Sequence, residues 1–216
     1  KNEIDADIYF FQESRPIDGA HNKENLIWEE KGRCQWGTGI YSDKYELTKE
    51  EIEKTSSGLG GAFTVARCDL TNNFSLTLIS MYGLLEKIGG TGYSIPNLHR
   101  SFSDLTGLLK GHLGKRNIVL GGDLNASVQW DIKYGNKSHE ILFDRIEDFK
   151  LRDCLAMFHN DYVQTLRYPR RNEKWQNDYL FVSSNITNRV KDCKVIDTEE
   201  VRRLSDHNPV LITLEV

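Results

Sequence analysis

The apolar positions of this chain fall into short clusters, most of them of strand length. Ile8–Phe11, inside Asp7–Gln12, is a continuous apolar and aromatic run, the pattern of a buried strand. Gly39–Ser42 predicts a second short strand, entered through the glycines of Gly37–Gly39. Ala62–Leu70 and Phe74–Met81 alternate as strands do, and Thr71–Asn73 between them has hairpin chemistry. Lys44–Lys54 is charged, and Thr55–Gly61 and the Gly-rich Glu86–Pro96 read as loops. Helical spacing occurs twice. In Leu98–Leu113 the residues Leu98, Phe102, Leu105, Leu108 and Leu109 share a face. In His139–Phe149 the residues Ile141, Leu142, Arg145 and Ile146 are spaced the same way. Asn117–Leu120, Tyr179–Val182 and Val210–Leu214 predict the remaining strands. Strands dominate and helices are interleaved, which predicts a layered α/β or α+β domain.

Composition narrows the class without naming a function. A chain of 216 residues fits one domain, 1–216, better than two. Hydrophobic residues at 38% and charged residues at 28% are ordinary for a folded domain. The net charge of −4 excludes nucleic-acid binding through overall charge, so any such contact rests on a local basic patch or on a metal. Cys34, Cys68, Cys154 and Cys193 form no C-x-x-C pair, which predicts reduced thiols in a reducing, cytoplasmic setting. No stretch has the apolar length of a membrane span. The chain starts at Lys1, and Lys1–Ile8 is too polar for a signal peptide, as expected of an N-terminally truncated or excised domain.

Candidate chemistry sits where strands end. Asn117–Leu120 runs into Gly121-Gly122-Asp123-Leu124-Asn125, and strand spacing puts Asp123 and Asn125 on one side. Gly-Asp and Asn are also ordinary turn residues. Leu204-Ser205-Asp206-His207-Asn208-Pro209 precedes the last strand, with Pro209 keeping Asp206 and His207 in the loop. A carboxylate beside an imidazole suits a metal ligand or base next to a group that bonds a phosphoryl oxygen, and equally a capped surface loop. Glu13 ends the first strand, where a carboxylate can hold a hard cation or simply face solvent. Asp178 stands at the mouth of Tyr179–Val182 in the same manner.

Together these segments resemble the endonuclease/exonuclease/phosphatase superfamily, with its DNase I-like fold. Five segments carry the likeness, in order: Phe11-Gln12-Glu13, Ile79-Ser80-Met81-Tyr82, Gly122-Asp123-Leu124-Asn125, Asp178 to Ser183, and Ser205-Asp206-His207-Asn208-Pro209. They span nearly all of Asp7–Val216. The resemblance implies an α+β fold, a four-layer α/β/β/α sandwich of two mainly antiparallel sheets flanked by helices. It implies a phosphoesterase dependent on Mg²⁺ or Mn²⁺. Glu13 and Asp206 would hold the metal, Asp206 also orienting His207. His207 and Tyr82 would bond the phosphate. Asp123 would orient or deprotonate the attacking water, and Asn125 would position water or phosphate. Asp178 would hold the His207 tautomer. The family's usual first strand, with its Asn, does not precede Asp7, and its loss would expose a sheet edge.

The substrate is less legible. Inositol polyphosphate 5-phosphatases have an aromatic-Cys-Asp-Arg segment where this chain has Lys174-Trp175-Gln176-Asn177-Asp178, and Ala126-Ser127 replaces their Tyr-Arg. Apurinic endonucleases of the exonuclease III type have paired tryptophans after a Thr or Ser, whereas this chain has Thr165-Leu166-Arg167-Tyr168. The stretch Arg167 to Trp175 is basic and aromatic, so Arg167 and Arg171 are candidate phosphate contacts. Trp130 is a candidate substrate wall or a packing residue. The leading expectation is a metal-dependent nuclease with a nucleic-acid substrate. A phosphatase or phospholipase-like enzyme and a non-catalytic binding domain are the alternatives. Glu13, Tyr82, Asp123, Asn125, Asp178, Asp206 and His207 are expected to converge at one end of the molecule.

Overall fold

The computed structural model describes residues 4–15, 25–32, 35–53, 59–87, 94–110, 115–167 and 174–216. The N-terminal part contributes β1 (Ile8–Ser14), β2 (Leu26–Glu30), β3 (Gly37–Ser42), β4 (Leu47–Lys49), β5 (Phe63–Thr71) and β6 (Phe74–Met81). Helices α1 (Ser94–Asp104) and α2 (Thr106–Lys110) lead to β7 (Ile118–Asp123). Then follow α3 (Val128–Tyr134), α4 (Ser138–Asp148), β8 (Leu151–Asp153) and α5 (Cys154–Phe158). The chain closes with β9 (Asp178–Ser183), β10 (Val190–Val195), α6 (Glu199–Leu204) and β11 (Val210–Leu214).

The frame is a six-stranded sheet in the order β4-β5-β6-β7-β9-β8. All its pairs are antiparallel except β6 with β7. A second layer lies against it in two pieces, β1-β3-β2 and β10-β11, and β1 and β11 are not paired with each other. The period-2 pattern explains the stacking. Ile79, Met81, Ile118, Leu120, Tyr179 and Phe181 face one way and meet Leu98, Phe102, Leu142 and Ile146 of α1 and α4. Leu76, Leu78, Val119 and Val182 face the other way and meet Ile40 and Cys193, with Ile8, Phe10 and Ile212 beside them. The α+β sandwich expected from the sequence is thus the fold observed. Cys68, Cys154 and Cys193 are free and buried within it.

Several sequence expectations are corrected. β1 is half-buried rather than fully buried, because it is an edge strand with one face on the core. The helix expected over Leu98–Leu113 starts at Ser94 and is broken into α1 and α2 at Leu105; residues 111–114 lie outside the described set. β2, β4, β8, β10, α3, α5 and α6 were not expected. β4, β8 and α5 are too short to show a period. In β10 the register shifts between Val190 and Asp192, so buried Val190 and Cys193 are out of step with a strand's alternation. Among the described residues no helix is long and apolar enough to cross a membrane.

Candidate active site

Strand direction brings the candidate residues to one edge. Because β6 and β7 are parallel, their C-terminal ends lie side by side and deliver Tyr82 and Asp123. β9 runs the other way, so its first residue is at that edge, and Asp178 is directly opposite Asp123 in the ladder. The second layer is tied to the first here: Gln12 donates to Ser80 Oγ at 2.9 Å, and Ser80 donates to the Phe11 carbonyl at 3.1 Å. This lock places Glu13 over the end of β6.

Two glycines permit the crowding. A Cβ on Gly83 would lie 1.8 Å from the Leu124 carbonyl oxygen. A Cβ on Gly122 would lie 2.1 Å from that of Met81, and its φ of 143° disfavours any other residue. Gly83 N–H donates to the Asp123 carbonyl at 2.8 Å, and Asn125 Nδ2 donates to the Gly83 carbonyl at 3.1 Å. Glu13 and Asn125 both have left-handed backbones, with φ of 50° and 47°. Such conformations are costly for non-glycine residues and cluster where surrounding structure enforces them. Both side chains act on the Tyr82 hydroxyl: burial first, then hydrogen bonding to Glu13, push its pKa far up, while Asn125 opposes the shift.

His207 comes from the loop before β11. Leu166 forms an isolated bridge to His207 on one side and to Trp175 on the other. Asn208 N–H donates to the Thr165 carbonyl at 2.6 Å, and Asn208 Nδ2 donates to that of Gln164 at 3.0 Å. The same Thr165 accepts from the N–H groups of Asn177 and Asp178 on its Oγ1, at 2.9 and 3.0 Å. One buried hydroxyl therefore fixes Asp178, and its own carbonyl fixes the residue after His207. His207 Nδ1 then meets Asp178 Oδ2 at 2.9 Å, and Nε2 lies 4.0 Å from Asp123 Oδ2.

Charge follows from this geometry. Burial alone would lower the His207 pKa, but the hydrogen bond and charge of Asp178, with the charges of Asp123 and Asp206, outweigh it and raise the pKa to about 9. These charges favour the imidazolium, with Nδ1 on Asp178. Asp123 is pushed well above the ordinary carboxylate range, by burial first and the Asp178 charge second. The His207 charge and the Asn125 N–H, which donates to Asp123 Oδ1 at 2.8 Å, limit that rise. Ligand-type atoms of Asp123, Asp178 and His207 all fall within 4.8 Å of one another. Such spacing suits an ion-pair network and, once the imidazole has lost its proton, a cation. The oxygen donors at its borders are Glu13, whose charge reaches Tyr82 and Asp123, and Asp206, whose charge reaches His207; both residues are exposed.

The structure thus gathers Glu13, Tyr82, Asp123, Asn125, Asp178 and His207 at one edge, with Asp206 beside them. Arg167 stands apart in its behaviour. Its guanidinium donates to the Ser205 carbonyl and lies 3.5 Å from Asp197, and its N–H donates to the Asp206 carbonyl at 2.8 Å. It braces the His207 loop. Arg171 lies outside the described residues. Trp130 stacks on Trp175 with ring centroids 4.1 Å apart. The bracing roles of Thr165 and Gln129 had no signal in the sequence, where Thr165 matched the Thr of the apurinic endonuclease pattern and Gln129 lay in a candidate substrate wall. Gln129 joins α3 to the strand carrying Asp178: its Nε2 donates to the Lys174 carbonyl at 2.7 Å, and its Oε1 accepts from Gln176 N–H at 3.0 Å.

No protein-family model matches the chain, and no curated protein matches it. Solved structures do. The AP endonuclease LMAP from Leishmania major matches with a TM-score of 0.72 at 14% identity, over 97% of this chain and 78% of that one. An AP endonuclease from Archaeoglobus fulgidus matches with a TM-score of 0.69 at 17% identity, over 97% and 89%. The 3′ phosphatase NExo from Neisseria, bound to a product DNA hairpin, matches with a TM-score of 0.67 at 17% identity, over 97% and 89%. These likenesses, spanning nearly the whole chain, show that the molecule has the DNase I-like fold.

Proposed function

We propose that this chain is a divalent-metal-dependent phosphoesterase, and that its substrate is a nucleic acid. The observation that carries this reading is His207, held by Asp178 at 2.9 Å on Nδ1 and facing Asp123 with Nε2. The 4.0 Å separation from Asp123 is too long for a hydrogen bond, so Nε2–H is directed at the space between them. A phosphoryl oxygen in that space receives a charge-assisted hydrogen bond that strengthens as negative charge grows. Asp123, with its raised proton affinity, accepts the proton of an attacking water at Oδ2. Asn125 and Tyr82 orient the water and a second phosphoryl oxygen. Asp178 keeps the imidazole ring fixed throughout. Glu13 and Asp206 would hold Mg²⁺ or Mn²⁺, since a hard cation takes one or two carboxylates and completes its shell with water and phosphate oxygens. When bound, the cation supplies Lewis-acid neutralisation of the phosphate charge.

The nucleic-acid reading draws support from the solved relatives, two described as AP endonucleases and one bound to DNA. The test is hydrolysis of single- and double-stranded DNA, RNA and bis(p-nitrophenyl) phosphate with Mg²⁺, Mn²⁺ or EDTA. Turnover should require the cation, and His207→Ala should lower it at least 10²–10³-fold, the usual effect of removing one preorganised donor. Turnover that survives in EDTA, or in His207→Ala, would overturn the proposal. Hydrolysis of the small diester without any cleavage of polymers would keep the chemistry and reject the nucleic acid.

A further inference from the structure

Beside the site lies an aromatic run that the proposed chemistry does not use. Trp175 is buried, Trp130 is partly exposed and Tyr134 is 59% exposed. Trp130 lies on Trp175 at 4.1 Å with 9° between the ring planes. Tyr134 lies against Trp130 at 5.5 Å with 8° between planes. Three nearly parallel rings therefore lead from the interior to solvent. Lys133 Nζ is 5.2 Å from the Trp175 ring and 5.9 Å from that of Tyr134, so a cation accompanies the rings. The neighbouring Ile132 is 75% exposed.

The run is rigidly connected to the chemistry. α3 directly follows Asp123–Asn125, with Ser127 capping it through Gln129 N–H. Gln129 grips both Lys174 and Gln176, on the segment that ends in Asp178. Trp175 pairs with Leu166, which pairs with His207. Two strand spacings of about 4.8 Å separate Trp175 from His207 across that bridge. The inner end of the aromatic run, Trp175, is thus tied through Leu166 to His207.

We propose that Tyr134, the outermost ring of the run and backed by Trp130, is a stacking platform for an unpaired base of a polynucleotide strand whose phosphate is held at His207. This rests on the phosphoesterase reading and names its substrate class: a strand with at least one unstacked base near the point of attack. The outer face of Tyr134 offers a π-surface to any base. A packing role alone would bury the outermost ring; here burial falls steadily along the run.

The experiment is binding of a fluorescein-labelled single-stranded oligothymidylate in EDTA, followed by anisotropy and by quenching of tryptophan emission. A matched strand of abasic sites carries the same phosphates without bases. The wild type should bind the thymidylate more tightly than the abasic strand. Tyr134→Ala should weaken the former roughly tenfold to a hundredfold, the range of one lost base–aromatic stack, while leaving the abasic strand unchanged. Tyr134→Phe should restore tight binding. Equal affinity of the wild type for both strands, or an unaltered affinity in Tyr134→Ala, would overturn the proposal. Hydrolysis of bis(p-nitrophenyl) phosphate by the wild type separates the two readings: activity there with no base-dependent binding rejects the platform alone, and base-dependent binding with no hydrolysis rejects the catalytic reading alone.

Discussion

His207 shows how single residues acquire properties that their type does not dictate. Its folded pKa, about 9, stands above the ordinary 6.5 because three carboxylates outweigh its burial. A folded state that binds the proton more tightly than the unfolded chain gains stability from it. That gain is fully present below about pH 6.5 and is lost as the pH rises through about 9. In EDTA, the urea midpoint of the wild type should therefore exceed that of His207→Gln most at pH 6, and the gap should shrink by pH 9.5. A gap that widens with pH would sink the account. The acids and His207 drew notice because each stands where an apolar run begins or ends. Arg167 was misleading at this scale. A basic residue beside an aromatic looks like a phosphate contact, yet its guanidinium is engaged with Ser205 and Asp197.

Among the elements, the segment 164–167 holds more of the site together than any regular strand does. It joins Trp175 on one side to His207 on the other, and its Thr165 hydroxyl accepts two backbone N–H groups inside the molecule. Thr165→Val keeps the shape and removes the acceptor. Leaving buried donors unpaired costs about 1–3 kcal/mol each, so the variant should lose stability on that scale and should release Asp178 from its place opposite Asp123. Chemical denaturation gives the first quantity, and the shift of the His207 ring protons in NMR gives the second. A variant with wild-type stability and an unmoved His207 would show that Thr165 is incidental. Nothing in a lone threonine announces this role, because it depends on which two chain segments arrive beside it. α3 escaped notice for a related reason: it is short, and its stacking partner, Trp175, is distant in sequence.

For the molecule as a whole, the alternation of apolar residues made the strands legible, and the family resemblance implied the layers on both sides of the sheet. Leu76 and Leu78 on one face of β6, and Ile79 and Met81 on the other, require cover on both sides, and they have it. Strand order was not legible, since the parallel placement of β7 beside β6 is decided by helices packing back on the sheet, not by either strand's pattern. Nor did any pattern foretell that the second layer comes in two pieces. Leu78 sits between the layers and is almost wholly buried. Leu78→Ala should cost about 2–5 kcal/mol in unfolding free energy, the range for a buried leucine cavity. A loss under 1 kcal/mol would mean that the layers can close over the gap.

The lock between Gln12, Ser80 and the Phe11 carbonyl has a consequence for how the chemistry comes and goes. Glu13 travels with one layer, while Tyr82, Asp123 and Asp178 travel with the other. The site is therefore written across a seam. The proposed chemistry needs both layers in place, so loosening the molecule should extinguish it at a single step instead of dimming it by degrees.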